Sequence, residues 1–276
     1  MERIRVLREE LRKFDELDLR RLEARSLEDP ELSRLNMKYG FFPGGNGLFR
    51  GVDAAKFPAL GALFLGSNYG CVSGFIDERC ELWTTDERNG RTWLGLRHLL
   101  CQTGINRDEC FFTNAWPFLH FLSEDRKQKK GGPRIDPCRP GGRESNDNPP
   151  INRWRRDDEF MTRCIDYFKF TVRTVKPKLI VALGKGPALF LGDVWPGELK
   201  EWHFTRRTSL SNVKFEQFAV LENRKIHSEE GHPTCCVISH PSRPHNANKR
   251  EGPYRGIDGE VRLLKQVAKN AGIMTN

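Results

Sequence analysis

Lys178-Leu179-Ile180-Val181-Ala182-Leu183, followed at once by Gly184-Lys185-Gly186-Pro187, is the stretch that decides the fold. A short run of consecutive apolar residues bounded by proline and glycine has the marks of a strand buried on both faces. Similar runs stand at 62–66, 110–113 and 235–239, each rich in Leu, Ile, Val, Phe or Cys. Between them lie stretches with helical periodicity at 92–101, 157–175 and 187–192, and a last one at 256–270 closes the chain. Strands alternating with helices predict a parallel sheet with helices on both faces. The expected fold class is α/β, a three-layer α/β/α sandwich around a central four-stranded, mainly parallel sheet.

Upstream of the first strand, Ile4, Leu7, Leu11, Phe14 and Leu17 recur at helical spacing among charged residues, so residues 2–36 read as helical, with a second short helix starting near Pro30. Residues 38–58, with Gly, Pro and Phe, read as loop. The expected organisation is an N-terminal helical segment, 1–58, packed on an α/β domain, 59–276. That domain carries an insertion at about 123–157. From Arg126 to Arg156 there are ten Lys or Arg against three Asp or Glu, with four Gly and five Pro, a composition unable to build its own core. It reads either as a surface loop or as a basic flap that closes on a polyanion.

Forty-six basic against 37 acidic residues leave a formal charge of +9, a balance that favours nucleic acid because each neutralised phosphate releases counterions. The charged start, Met1-Glu2-Arg3-Ile4-Arg5, is unlike a signal peptide, and no stretch is long and apolar enough to span a bilayer. The eight cysteines include no CxxC pair, so a reducing compartment is expected, cytoplasmic and nucleoid-associated or nuclear. His232, Cys235, Cys236 and His240 have only loose metal-ligand spacing. Cys235 and Cys236, adjacent on one strand, should face opposite sides of the sheet. No metal and no cofactor are expected.

In open parallel sheets, ligands bind beyond the carboxyl ends of the strands. Those ends are Ser67-Asn68-Tyr69-Gly70, Asn114-Ala115-Trp116-Pro117, Gly184-Lys185-Gly186 and His240-Pro241-Ser242. Asn114 carries one acceptor and two donors, enough for paired hydrogen bonds with the edge of a pyrimidine. A histidine at a strand end can donate to an oxygen that is gaining negative charge. The glycine of Gly66-Ser67-Asn68 lets backbone amides come close to a ligand. Gly184-Lys185-Gly186-Pro187 lacks nucleotide-loop spacing and reads as a strand-to-helix turn.

Taken in order, these turns resemble the uracil-DNA glycosylase superfamily, most closely its single-strand-selective monofunctional branch. The similarity is carried by His240-Pro241-Ser242 with Asn246-Ala247-Asn248-Lys249, by Asn114-Ala115-Trp116-Pro117-Phe118, by Gly66-Ser67-Asn68, and by the strand running through Lys176–Gly184 into a short helix. It implies an enzyme that flips a uracil or modified pyrimidine out of DNA and hydrolyses its N-glycosidic bond, leaving an abasic site. Asn68 would position the attacking water and His240 would stabilise the departing base anion. Asn114 would read the base edge, in a pocket completed by Gly66, Ser67 and Tyr69. Trp93 would stack on the base, with Phe75 as the competing choice. Ser242, Arg243, Lys249 and Arg250 would hold phosphates, and Arg243 or His245 would fill the space the base leaves.

The sequence departs from the family pattern at Tyr69, where many relatives have proline, and in a long 71–91 segment. A rotated Asn114 amide would read cytosine instead. A glycosylase directed at hypermodified cytosines of phage DNA, acting in defence, is therefore one alternative. A catalytically silent nucleic-acid-binding module is the other. DNA is the expected partner, and a monomer the expected state.

Overall fold

The computed structural model describes residues 6, 7, 10, 61–67, 91–116, 155, 158–205, 208, 212, 213, 215, 224–227, 232–241, 244–250 and 252–274, with the side chains of 91–93, 108, 224, 225 and 244 excepted. The described strands are β1 (Ala62–Gly66), β2 (Phe111–Asn114), β3 (Leu179–Leu183), β4 (Arg224–Lys225) and β5 (Thr234–Ile238). The described α-helices are α1 (Arg91–Thr103), α2 (Asp158–Val175), α3 (Lys185–Val194) and α4 (Gly256–Asn270). The sheet order is β2-β1-β3-β5-β4. The first four strands pair in parallel, as the alternation of strands and helices predicts. The antiparallel edge strand β4 is an addition to that expectation. Its two residues, Arg and Lys, carry no apolar pattern for a sequence reading to find.

Every residue of β1, β2, β3 and β5 is buried, which only a sheet covered on both faces allows. Alternate side chains go to opposite layers. Leu63, Leu65, Phe111, Ile180, Ala182, Cys235 and Val237 join a core with α2 and α3. Phe64, Phe112, Val181, Leu183, Cys236 and Ile238 join a second core with α1 and α4. Cys235 and Cys236 thus face opposite sides, as expected for neighbours on a strand. The three-layer α/β/α arrangement follows from these two cores.

α2 shows why the helical periodicity was legible. Phe160, Met161, Cys164, Tyr167, Phe168, Thr171, Val172 and Val175 make one buried stripe, while Asp158 and Glu159 occupy the first turn, where the helix dipole favours acids. α3 starts two residues before the expected 187, at Lys185. Gly184 takes a φ of 93° there, which a side chain would strain, and its carbonyl accepts the first helical bond from Ala188 (3.3 Å). The Lys185 amine is bound to the Val213 carbonyl (2.7 Å), in keeping with a strand-to-helix turn.

Leu7, fully buried, belongs to the α2/α3-side core, so at least this point of the N-terminal segment contributes to the domain interior. The helix expected after Pro30, the 38–58 loop and almost all of the 123–157 insertion lie outside the described residues. The insertion's last part is described at Arg155, which is completely buried. Its guanidinium forms a fork on Asp193 of α3 (3.2 and 3.4 Å) and also donates to the carbonyls of Phe204 (2.9 Å) and Thr208 (3.5 Å). A buried bidentate pair supported by two further carbonyl acceptors is a fixed anchor point. The basic segment therefore returns to the domain at a clamped position.

Candidate active site at the strand ends

The parallel register brings the carboxyl ends of four strands into one row. Gly66 of β1 pairs with Asn114 of β2. The ladder continues past the strands: the Ala115 N–H donates to the Gly66 carbonyl (2.9 Å) and the Trp116 N–H to the Ser67 carbonyl (3.0 Å). On the other side of β1, the Gly184 N–H donates to the Ile238 carbonyl (2.8 Å), tying the end of β3 to the end of β5. A Cβ added at Gly184 would lie 3.4 Å from Cβ of His240, so these two turns touch.

Asn114 is the last residue of β2 and only 2% exposed. The strand was expected to end at 113. Its extension by one residue places this amide in the sheet ladder itself, with its direction set by the pleat. Alternation puts the side chain on the same face as Phe112, toward the α1/α4 layer. The residue two further on locks the turn. Trp116 is fully buried, its indole N–H donates to Sδ of Met161 on α2 (3.3 Å), and its ring meets Phe190 of α3 edge-on at 5.7 Å. Yet Oδ1 and Nδ2 of Asn114 are buried and make no hydrogen bond among the described residues. Leaving a buried polar atom unmatched costs about 1–3 kcal/mol, which makes this amide a candidate ligand-binding group.

His240 is half-buried and follows directly on Ser239 at the end of β5. Ser239 leaves the sheet because its N–H is taken by Oε1 of Glu260 on α4 (2.6 Å) rather than by a neighbouring strand, and its Oγ donates to Oε2 of the same carboxylate (2.6 Å). This is why β5 ends at 238 and not at the expected 239. From the other side α1 closes on the loop. A Cβ on Gly95 would sit 2.5 Å from the Pro241 carbonyl oxygen, so only glycine allows this approach. Trp93 lies two residues earlier, in the first turn of α1, and its side chain is outside the described residues.

The other expected site residues fall into four groups. Gly66 is buried in the sheet and Ser67 is half-buried beside Trp116. Asn68, Tyr69, Phe75, Ser242 and Arg243 lie outside the described residues. His245 and Lys249 are exposed on a 3-10 turn, Pro244–Lys249, which also holds the fully buried Ala247. Arg250 corrects the sequence expectation. It is 3% exposed, and its guanidinium donates to Oε1 of Glu260 (3.2 Å) and to the Val237 carbonyl, and lies 5.1 Å over the ring of Phe215. An arginine committed to these partners inside the domain does not grip a phosphate.

A sequence model of the uracil DNA glycosylase superfamily matches residues 84–255, more than half of the 276 residues. The chain belongs to the uracil-DNA glycosylase superfamily. The matched part runs from just before α1 through the His240 loop. β1 with its Gly66-Ser67 turn and α4 with Glu260 lie beyond it. Membership carries a DNA-glycosylase type of function and DNA as the partner. No curated protein matches the chain. Among the described residues, no helix is long and apolar enough to cross a membrane, and no group of three or more His, Cys, Asp or Glu is placed to hold a metal ion.

Glu260 and Gly95 are the residues that sequence reasoning missed in this superfamily member. Glu260 had a signal: it stands with Leu263, Leu264 and Val267 at i, i+3, i+4 and i+7, an acid on the apolar stripe of α4. Such a residue needs a buried partner. Nothing local to Gly95 announces that Pro241 will pack against it.

Proposed function

We propose that this glycosylase removes uracil or a modified uracil from DNA by a monofunctional, hydrolytic mechanism, as in the single-strand-selective branch. The observation that carries the reading is the buried Asn114 amide, rigidly held and, among the described residues, unmatched in both of its polar atoms. Donating from Nδ2 to a base O4 and accepting from N3–H at Oδ1 would satisfy both at once. Asn114 and His240 stand at the ends of β2 and β5, three strand spacings apart in the row, or about 14 Å of backbone. An amide, a flipped planar base and an imidazole can fill that distance between them.

In this mechanism the target nucleotide leaves the stack and enters the pocket. As the glycosidic bond lengthens, the base gathers negative charge and the sugar positive charge. His240 donates to the base oxygen and stabilises the anion. Asn68 orients the water that attacks the sugar carbon. Trp93, on the first turn of α1 beside the His240-Pro241 turn, stacks on the base. Ser242, Arg243 and Lys249 hold the flanking phosphates, and Arg243 or His245 occupies the vacated space in the duplex.

The test is incubation with DNA containing uracil, hydroxymethyluracil or modified cytosines, followed by alkali to break abasic sites. Cleavage at the uracil-type bases is expected. The variant His240→Ala should lose about 100- to 1,000-fold in rate, the loss expected for an anion-stabilising donor, with DNA binding nearly kept. Cleavage confined to modified cytosine would assign the rotated amide and the defence role instead. Tight DNA binding without cleavage of any substrate would overturn the enzymatic reading.

A further inference from the structure

We infer that Glu260 and Arg250 form a positioning pair that clamps the two ends of the His240 loop and so fixes the imidazole against the base. This rests on His240 acting as the donor to the departing base. The loop leaves the sheet at Ser239 and returns at Arg250. Both carboxylate oxygens of Glu260 are used on the outgoing end, one by the Ser239 N–H and one by its hydroxyl, each at 2.6 Å. Oε1 also receives Nε of Arg250 on the returning end (3.2 Å). Arg250 then donates to the carbonyl of Val237, two residues before Ser239. One carboxylate and one guanidinium, 5% and 3% exposed, thus close the base of the loop.

Packing alone does not call for charges here. Apolar residues of similar volume can often replace a buried ion pair without loss of stability. What apolar residues cannot supply is direction. The bonds of Glu260 hold Ser239, the residue immediately before His240, while Gly184 and Gly95 confine His240 and Pro241 from the β3 and α1 sides. A misplacement of about 1 Å in a reacting group costs about a hundredfold in rate, which sets the scale of what the clamp protects.

The experiment compares the full-length wild type with Glu260→Gln and with the double variant Glu260→Leu/Arg250→Met. Thermal unfolding, amide hydrogen exchange of residues 239–250 without DNA, single-turnover excision and DNA affinity are measured on each. The double variant leaves the buried Ser239 N–H and hydroxyl without Glu260 and the Val237 carbonyl without Arg250, so it is expected to unfold at a lower temperature than the wild type while staying folded at the assay temperature. Exchange at Ser239 and along the loop should be faster, and excision about a hundredfold slower at little-changed DNA affinity. Glu260→Gln, which keeps one acceptor for the Ser239 N–H, should fall between the two, and it decides the matter if the double variant does not fold. Unchanged loop exchange in a folded variant overturns the clamp. A loosened loop with wild-type excision overturns its catalytic purpose. If the wild type excises no base at all, the glycosylase reading falls, and the exchange data still decide whether the pair holds the loop.

Discussion

Replacing Asn114 with leucine should make the free protein more stable and the enzyme worse. The amide is 2% exposed, with Oδ1 and Nδ2 both unmatched among the described residues. At about 1–3 kcal/mol for each unsatisfied group, the native protein carries about 2–6 kcal/mol that an apolar side chain would relieve. Leucine is bulkier, and overpacking returns about 1–3 kcal/mol of that gain. A net gain of about 1–3 kcal/mol corresponds to a rise in Tm of about 2–6 °C for a chain of this size. Excision should suffer in the opposite sense. A bidentate contact to a base edge contributes about 1–3 kcal/mol, so losing it slows excision roughly 5- to 150-fold. The two measurements are a thermal melt without DNA and a single-turnover abasic-site assay. Asn114→Asp, which buries an acid in the same place, should change base preference and lower stability. A lower Tm for Asn114→Leu would show that the amide serves the fold, and an unchanged substrate profile for Asn114→Asp would remove its role in base choice.

Lys249→Ala should weaken DNA binding and reduce the slope of log affinity against log salt by about one, whereas Arg250→Ala should leave that slope alone and destabilise the protein by about 3–5 kcal/mol, because it strands Glu260. Salt titrations of both variants beside their melts separate the two roles, and a reduced slope for Arg250→Ala would contradict its interior placement. Gly95→Ala, with its new methyl 2.5 Å from the Pro241 carbonyl oxygen, should displace α1 or the His240 turn and slow excision; wild-type rate would show that the contact yields freely. Burial pushes the Cys236 thiol from 9.0 up to about 12, with Arg250 lowering and Glu260 raising it, and holds Cys235 well above its ordinary value, with Cys236 adding to the effect. A raised folded-state value favours the protonated thiol, so this stabilisation is complete below about pH 9 and is lost as pH rises from there toward 12. Unfolding free energy should decline over that window, less steeply in Cys236→Ala, and equal slopes would refute the assignment.

Much of the architecture was written in local pattern. Residues 62–66 and 256–270 form their elements with the expected bounds, since a buried strand and an amphipathic helix each follow from residues within a few positions of one another. The row of strand ends proposed as the site was legible in the same local pattern, which places Asn114 and His240 at the ends of their strands. The β4 edge was not, because two charged residues hold a strand only through β5 beside them.

The sequence by itself determined which side chains stand at the carboxyl ends of the strands. Only the tertiary structure decided which are available for chemistry. Asn114 and Arg250 both looked like ligand-binding groups; among the described residues one is buried without a partner and the other is bound to Glu260, ten residues along the chain, and to Val237, thirteen residues back. Hydrogen-bond partnership depends on distances set by how α4, β5 and the loop between them pack. Periodicity and spacing report the face a residue takes, and they carry no information about what waits on that face.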